Sequence, residues 1–459
     1  MKKQILCFCL MLGVFMLFSG CARQILYSED EPAVYADVSV NAAVSYEDAA
    51  PDETEAAIAE ALAHLANLEL SRPVSENFLR WANENIAPDF TEALAAGLAE
   101  ERDWREPFFD LFGKTLHVLW GHYTGALQND PNIHATGAVP GATLAFGGDV
   151  NLADTWENML IYHQAPGGIE EFICEDLLGL MRGADILMVN NEFTFSDRGS
   201  PLPGKMYTFR ATPRNVYMLH DMGVDIVSTA NNHIYDYGTY AFLDTLDTLT
   251  EAGIPQVGAG RNIAEAMQAQ YFHAGGMKIA FLAANDIERA WVPEAAEDRP
   301  GTLRPFGEAD RANEHLLEAI ATARQNADWV VVYLHWGVQY VTTPQHRQVN
   351  LARELIDAGV DFVIGAHPHV LQGIEFYNDR PIVYSLGDFW FNMGWVRTML
   401  LEIELFAPGE YRLRVHPATT AGGRSLLFQD ERYRNALFRH LESLSWGIAI
   451  EDDGLVTRN

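Results

Sequence analysis

Thiols, basic side chains and long apolar runs are all scarce in this chain, and each shortage removes a class of protein. Four cysteines are spread over 459 residues: Cys7 and Cys9 lie in the first apolar run, Cys21 just after it, and Cys174 alone beyond. One thiol cannot close an internal disulfide, so the fold must hold without one. Against 63 Asp and Glu stand 31 Lys and Arg, a formal charge of -32. Such a chain repels phosphate backbones, so no nucleic-acid partner is expected. A small anionic substrate stays open, because a local metal or Arg cluster reverses the field inside one cleft. The apolar run over 5–18 falls short of the roughly 18 to 20 residues that span a bilayer. No Gly-x-Ser-x-Gly occurs, Cys174 stands in no nucleophile context, and Gly258-Ala259-Gly260 lacks the third glycine of a dinucleotide fingerprint.

What is present begins with an export pattern. Lys2 and Lys3 precede the apolar run, and Phe18-Ser19-Gly20-Cys21 follows it. Small residues before a cysteine resemble the lipobox of bacterial lipoproteins, which implies a signal over 1–20 and lipidation of Cys21. The mature protein would then sit outside the cytoplasm, lipid-anchored to a bacterial membrane. An ordinary signal peptide with a chance cysteine and a transmembrane anchor are the alternatives. From 24 to 71 there is no Lys or Arg, while Asp and Glu recur, so 21–51 reads as an acidic, solvated tether. Ile58, Leu62, Leu65 and Leu68 then fall at helical spacing, and 52–140 is expected to be a helical N-terminal region.

Over 141–420 short apolar runs alternate with amphipathic stretches, the pattern of a layered α/β domain. Strands are expected at 143–146, 186–189, 226–228, 279–283, 329–334, 362–364 and 382–385, and helices at 240–252, 309–327 and 348–358. A closing helix (430–444) and an acidic polar tail would complete 421–459. Polar residues cluster where the strands end: Gly147-Gly148-Asp149, Asn190-Asn191-Glu192, Asn231-Asn232-His233 with Asp236, His335-Trp336-Gly337, and His367-Pro368-His369. Open α/β sheets place their sites at carboxyl strand ends, and four of only 15 histidines occupy these five positions. Mixed carboxylate, amide and imidazole donors suit borderline divalent metals such as Mn, Fe, Zn or Co. Two ligand sets sharing a carboxylate suit two ions about 3.5 to 4 Å apart.

The order Gly-Asp, Asn-x-Glu, Ala-Asn-Asn-His-x-x-Asp-x-Gly, His-Trp-Gly, Gly-x-His-Pro-His and Tyr-Ser-Leu-Gly over 144–392 resembles the CapA family of capsule and poly-γ-glutamate synthesis proteins, which looks like a branch of the calcineurin-like metallophosphoesterases. The resemblance implies a four-layer α/β/β/α fold. It implies metal ligands Asp149, Glu192, Asn232, His335, His367 and His369, with His233 as an acid near the leaving group. Asp236 either orients the His233 imidazole or caps a helix. Arg210, in Phe209-Arg210-Ala211-Thr212-Pro213, either grips an anionic substrate or makes a structural ion pair. Trp336, Trp390, Phe391 and Trp395 either wall the cleft or pack in the core. Several positions depart from the pattern: Asn151 stands where metallophosphoesterases carry the histidine of Asp-x-His, Glu192 replaces Asp, Gln339 replaces Glu, and Asn191 and Asp388 replace Leu and Asn. Three functions stay open: a surface-anchored metal-dependent hydrolase or transferase acting on an anionic envelope polymer or its phosphorylated precursor, a non-catalytic accessory subunit beside membrane subunits of a polymer synthase, and a general extracytoplasmic phosphoesterase.

Overall fold

The computed structural model describes residues 133–136 and 141–459, except 166 and 308–310. The expected signal, Cys21, the tether and the helical stretches after 52 lie outside the described residues. Fifteen strands build two large mixed sheets. In chain order they are β1 (Ile133–Thr136), β2 (Ala142–Val150), β3 (Ile186–Asn191), β4 (Ile226–Ser228), β5 (Gln256–Val257), β6 (Gln270–Ala274), β7 (Met277–Asn285), β8 (Trp329–His335), β9 (Phe362–Ala366), β10 (Ile374–Tyr377), β11 (Arg380–Val383), β12 (Asp388–Trp390), β13 (Val396–Ala407), β14 (Glu410–Ala421) and β15 (Arg424–Leu427). One sheet has the order β1-β6-β7-β8-β9-β11-β10, and the other β15-β14-β13-β2-β3-β4-β5 with β12 paired to β2.

Side-chain alternation along these strands makes the layers. Leu144, Phe146, Ile186 and Met188 from one sheet meet Ile279, Phe281, Val331, Tyr333 and Ile364 from the other in a shared core. The alternate residues face outward and are covered in turn. Ala145, Leu187, Val189 and Val227 pack on helices carrying Met159, Leu177, Met181 and Leu249. Leu282, Val330, Val332 and Val363 pack on Leu316, Ile320, Leu351 and Leu355. With both faces buried, the central strands read as unbroken apolar runs. The result is the expected four-layer α/β/β/α sandwich.

The longer helices are α1 (Glu175–Gly183), α2 (Gly238–Glu251), α3 (Glu314–Asn326) and α4 (His346–Asp357), which cover the outer faces, and α5 (Glu431–Leu444), which packs into the inter-sheet core. In α4 the buried positions Gln348, Leu351, Ala352, Leu355 and Ile356 recur every three or four residues, one apolar stripe on a charged helix. The α3 start is set by Asn313, whose side chain accepts from the His315 N–H. No helix among the described residues is long and apolar enough to cross a membrane.

Several boundaries differ from the sequence reading. Within 52–140, β1 is a strand, pairing in parallel with β6 at the sheet edge. The two longest strands, β13 and β14, are missing from the expected set; they pair antiparallel over their whole lengths, and their half-exposed faces carry too many charges to read as apolar runs. Position 420 is no boundary, since β14 runs to Ala421 and β15 pairs back onto it. The expected acidic tail folds as a hairpin, Ile448–Ile450 with Val456–Arg458, and Leu437, Leu441, Ile448 and Val456 join the inter-sheet core.

Candidate metal centre

The carboxyl ends of β2, β3, β4, β8 and β9 converge where the two sheets meet. In one sheet Asp149 stands opposite Asn190 in the β2–β3 register. In the other, His335 stands opposite Ala366, the residue before His367. The Tyr333 hydroxyl crosses the sandwich to donate to the Gly147 carbonyl at 3.0 Å, tying the sheets together just short of the site. Gly148 is required by a close approach: a Cβ there would lie 1.8 Å from the Gly387 carbonyl oxygen, the same oxygen that accepts from the Asp149 N–H. His367 and His369 adopt φ of 94° and 57°, conformations that cost non-glycine residues on the order of 1–3 kcal/mol. That strain turns both imidazoles inward.

All six residues expected as ligands are buried in one cluster: Asp149, Glu192, Asn232, His335, His367 and His369. His335 Nε2 lies 2.7 Å from Asn232 Oδ1 and 3.4 Å from Glu192 Oε1. His369 Nδ1 lies 3.3 Å from Asp149 Oδ2. Three overlapping groups have ligand atoms within 4.8 Å of one another: Asp149, Glu192 and His335; Glu192, His367 and His369; and Asp149, His369 and Asp388. Both oxygens of Glu192 and Nδ1 of His367 are buried without a hydrogen-bond partner, a costly arrangement unless a cation fills the space between them. The donor set and these orphaned atoms fit a divalent metal.

Electrostatics agree. Burial, with Asp149 close by, pushes the Glu192 carboxyl well above the usual range. Burial holds His335 down to about 3 and His367 well below the ordinary imidazole value, so both present neutral, ligating rings. Burial works against charge on His369 as well, yet Asp388 and Glu192 outweigh it and raise that imidazole well above its ordinary value. Protons thus sit where a cation would balance the buried carboxylates.

His233 is beside the cluster rather than in it. Its Nδ1 is 2.7 Å from Asp236 Oδ2, and Phe209 packs against the ring at 4.2 Å between centroids. Of the two uses open for Asp236, the geometry realises the orienting contact. The same carboxylate accepts from the Phe209 N–H and from Lys205, whose buried ammonium also reaches the Asn232 carbonyl and Glu288. Burial lowers the His233 pKa although Asp236 opposes it.

Arg210 makes its contacts away from this cluster: its guanidinium lies over the Tyr237 ring and reaches toward the Arg198 carbonyl. Phe209 faces His233, and strand alternation carries the next side chain away. Trp336 and Trp390 are core residues, Trp395 is exposed, and Phe391 alone of the four aromatics packs on a ligand, His369. Two members of the site escape the sequence reading, Asp388 in the cluster and Lys205 as its buried cation. Asp388 has a signal, a sixth polar position at a strand end, after Ser385-Leu386-Gly387; Lys205 sits in a Pro-Gly loop and has none.

Residues 143–393 match the family model described as bacterial capsule synthesis protein PGA_cap. The chain is 39% identical over 207 residues to the PGA biosynthesis protein CapA of Bacillus subtilis, covering 44% of this chain and 53% of that one. It is 34% identical over 211 residues to a probable polyglutamine synthesis accessory protein of Mycobacterium tuberculosis, covering 44% and 55%. The chain therefore spans about half the length of these curated relatives. Among solved structures, a novel phosphatase of Mycoplasma pneumoniae aligns at 14% identity and a TM-score of 0.39, over 62% of this chain and 95% of that one. The family match covers more than half of the chain and every strand-end candidate ligand, and on it the chain belongs to the bacterial capsule synthesis protein family PGA_cap.

Proposed function

We propose that this protein is a metal-dependent hydrolase or transferase working outside the cytoplasm on an anionic envelope polymer of the poly-γ-glutamate kind, or on its phosphorylated precursor. One observation carries the reading: a buried cluster of candidate ligands has beside it an imidazole that belongs to no ligand group. A structural metal would need the cluster but not His233 with its Asp236 partner. Asp149, Glu192, Asn232, His335, His367 and His369 would hold the ions, with two as the expected number. Bound divalent ions supply Lewis acidity and a nucleophile at neutral pH.

The protein's own groups account for the remaining requirements. Asp236 engages Nδ1 of His233 and leaves Nε2 as the nitrogen available to a reacting group. Negative charge developing on a leaving oxygen beside Nε2 favours the imidazolium, and Asp236 balances it. Lys205 holds Asp236 in place from the other side. Burial of the whole cluster excludes bulk water and strengthens each of these interactions.

The relative named an accessory protein favours a second reading, in which the metal site only shapes a binding surface for the polymer-synthesis machinery. His233→Ala separates the two. Under the catalytic reading this variant keeps its metal content and thermal midpoint while turnover falls by about 10²- to 10⁴-fold and polymer production in cells is lost. Full complementation by His233→Ala would establish the accessory reading.

A further inference from the structure

Asp388 and Asp149 are built alike. The register of β12 on β2 sets them directly opposite each other, and both are fully buried. In each carboxylate one oxygen is tied down by an asparagine amide. Asn190 Nδ2 donates to Asp149 Oδ1 at 2.7 Å, and Asn392 Nδ2 donates to Asp388 Oδ2 at 2.6 Å. The other oxygen of each is aimed at His369 Nδ1, which is 2.6 Å from Asp388 Oδ1 and 3.3 Å from Asp149 Oδ2; Asp149 Oδ2 also accepts from the His367 N–H at 3.3 Å. Ligating carboxylates commonly have their remaining oxygen fixed in this manner.

Asn151, by contrast, has turned away. Its Oδ1 accepts from the Ala153 N–H at 2.9 Å, which engages the amide's only ligating atom in a local turn. The amide oxygen thus already serves a local turn, unlike the two carboxylates.

We infer that Asp388 is a metal ligand, and that with Asp149 and His369 it forms an oxygen-rich half-site distinct from the nitrogen-rich half-site of Glu192, Asn232, His335 and His367. The unpartnered oxygens of Glu192 serve both, since that residue groups with Asp149 and His369 of the first half-site and with His335 and His367 of the second. Unlike donors select unlike ions. Two carboxylates with one imidazole favour a hard cation such as Mn²⁺, whereas two imidazoles with an amide favour Zn²⁺ or Fe²⁺. The site is thus a heterobimetallic centre by construction, with Asp388 setting the identity of one ion.

This inference rests on the metal-centre reading above, and the measurement distinguishes the two. The full chain is stripped with chelator and titrated with Mn²⁺ alone, with Zn²⁺ alone, and with Mn²⁺ after one equivalent of Zn²⁺. Calorimetry and the Mn²⁺ spin-resonance signal report occupancy, and circular dichroism reports folding. Wild type should take one Zn²⁺ tightly and then one Mn²⁺. Asp388→Ala should weaken that Mn²⁺ by more than the roughly 10- to 100-fold seen when an outer hydrogen-bond partner is lost, with Zn²⁺ binding unchanged. Asp388→Asn keeps the shape and the acceptor for His369. If Asp388 only oriented that ring, the asparagine variant would bind Mn²⁺ within about tenfold of wild type, which would overturn the inference. A single metal equivalent in wild type, or unaltered Mn²⁺ affinity in both variants, would overturn it too and leave the metal centre standing. No metal binding by wild type would sink the metal centre itself.

Discussion

Both oxygens of Glu192 are buried and accept no hydrogen bond, so the metal-free fold keeps the carboxyl protonated well above the usual range. An unfolded chain releases that proton near the ordinary value of about 4.3. Between the two values the native state holds a proton that the unfolded state has lost, so stability must fall as pH rises through this window. Glu192→Gln removes the titration while keeping the shape. In chelator its thermal midpoint should exceed that of wild type at neutral pH, with a flatter dependence from pH 5 upward, and it should bind metal more weakly. A lower midpoint in chelator would mean that the carboxyl contributes to the fold as well as to ligation.

Elements place these residues through close backbone contact. The β2 strand can bring Asp149 opposite Asp388 only because Gly148 has no side chain to meet the Gly387 carbonyl. Gly148→Ala forces the strands apart at that point. Overpacking of this kind typically costs about 1–3 kcal/mol, and here the displacement falls on the adjacent ligand. The variant should fold with a reduced midpoint and should lose metal content disproportionately, measured by metal analysis against circular dichroism. Equal retention of metal would show that the β2–β12 contact is not what positions Asp149. The long β13–β14 ribbon extends the same sheet beyond the site, where Glu402 bridges His416 and Arg414 on the neighbouring strand.

For the molecule as a whole, charge and location go together. A net charge of -32 with no basic residue over 24–71 gives the chain no electrostatic attraction to an anionic membrane surface. Lipid would supply an attachment that charge does not, at about 0.8 kcal/mol per buried methylene. On the proposal that Cys21 carries that lipid, Cys21→Ala should abolish incorporation of labelled fatty acid and shift the protein from the membrane to the soluble fraction. Absence of label in the wild-type protein would end the proposal.

Patterns that depend on the chain's own period are legible in the sequence. Apolar runs mark the central strands because both faces of each strand are buried, and the six candidate ligands are legible because carboxyl strand ends gather in layered α/β folds. Position in space is not legible wherever a long-range contact decides it. Asp236 could cap a helix or partner His233, and packing settles the matter by bringing its oxygen to the imidazole. Asn151 stands in a ligand's position, yet its amide is engaged by Ala153. Asp388 and Lys205 reach the site through a crossing strand and an irregular loop, and no local periodicity encodes either approach. The sequence by itself determined which chemistry is available, because donor types are covalent properties of the residues. Only the tertiary structure decided which donors come together, because that depends on atoms brought within a few ångströms by segments more than 200 residues apart, as His367 and Asp149 are.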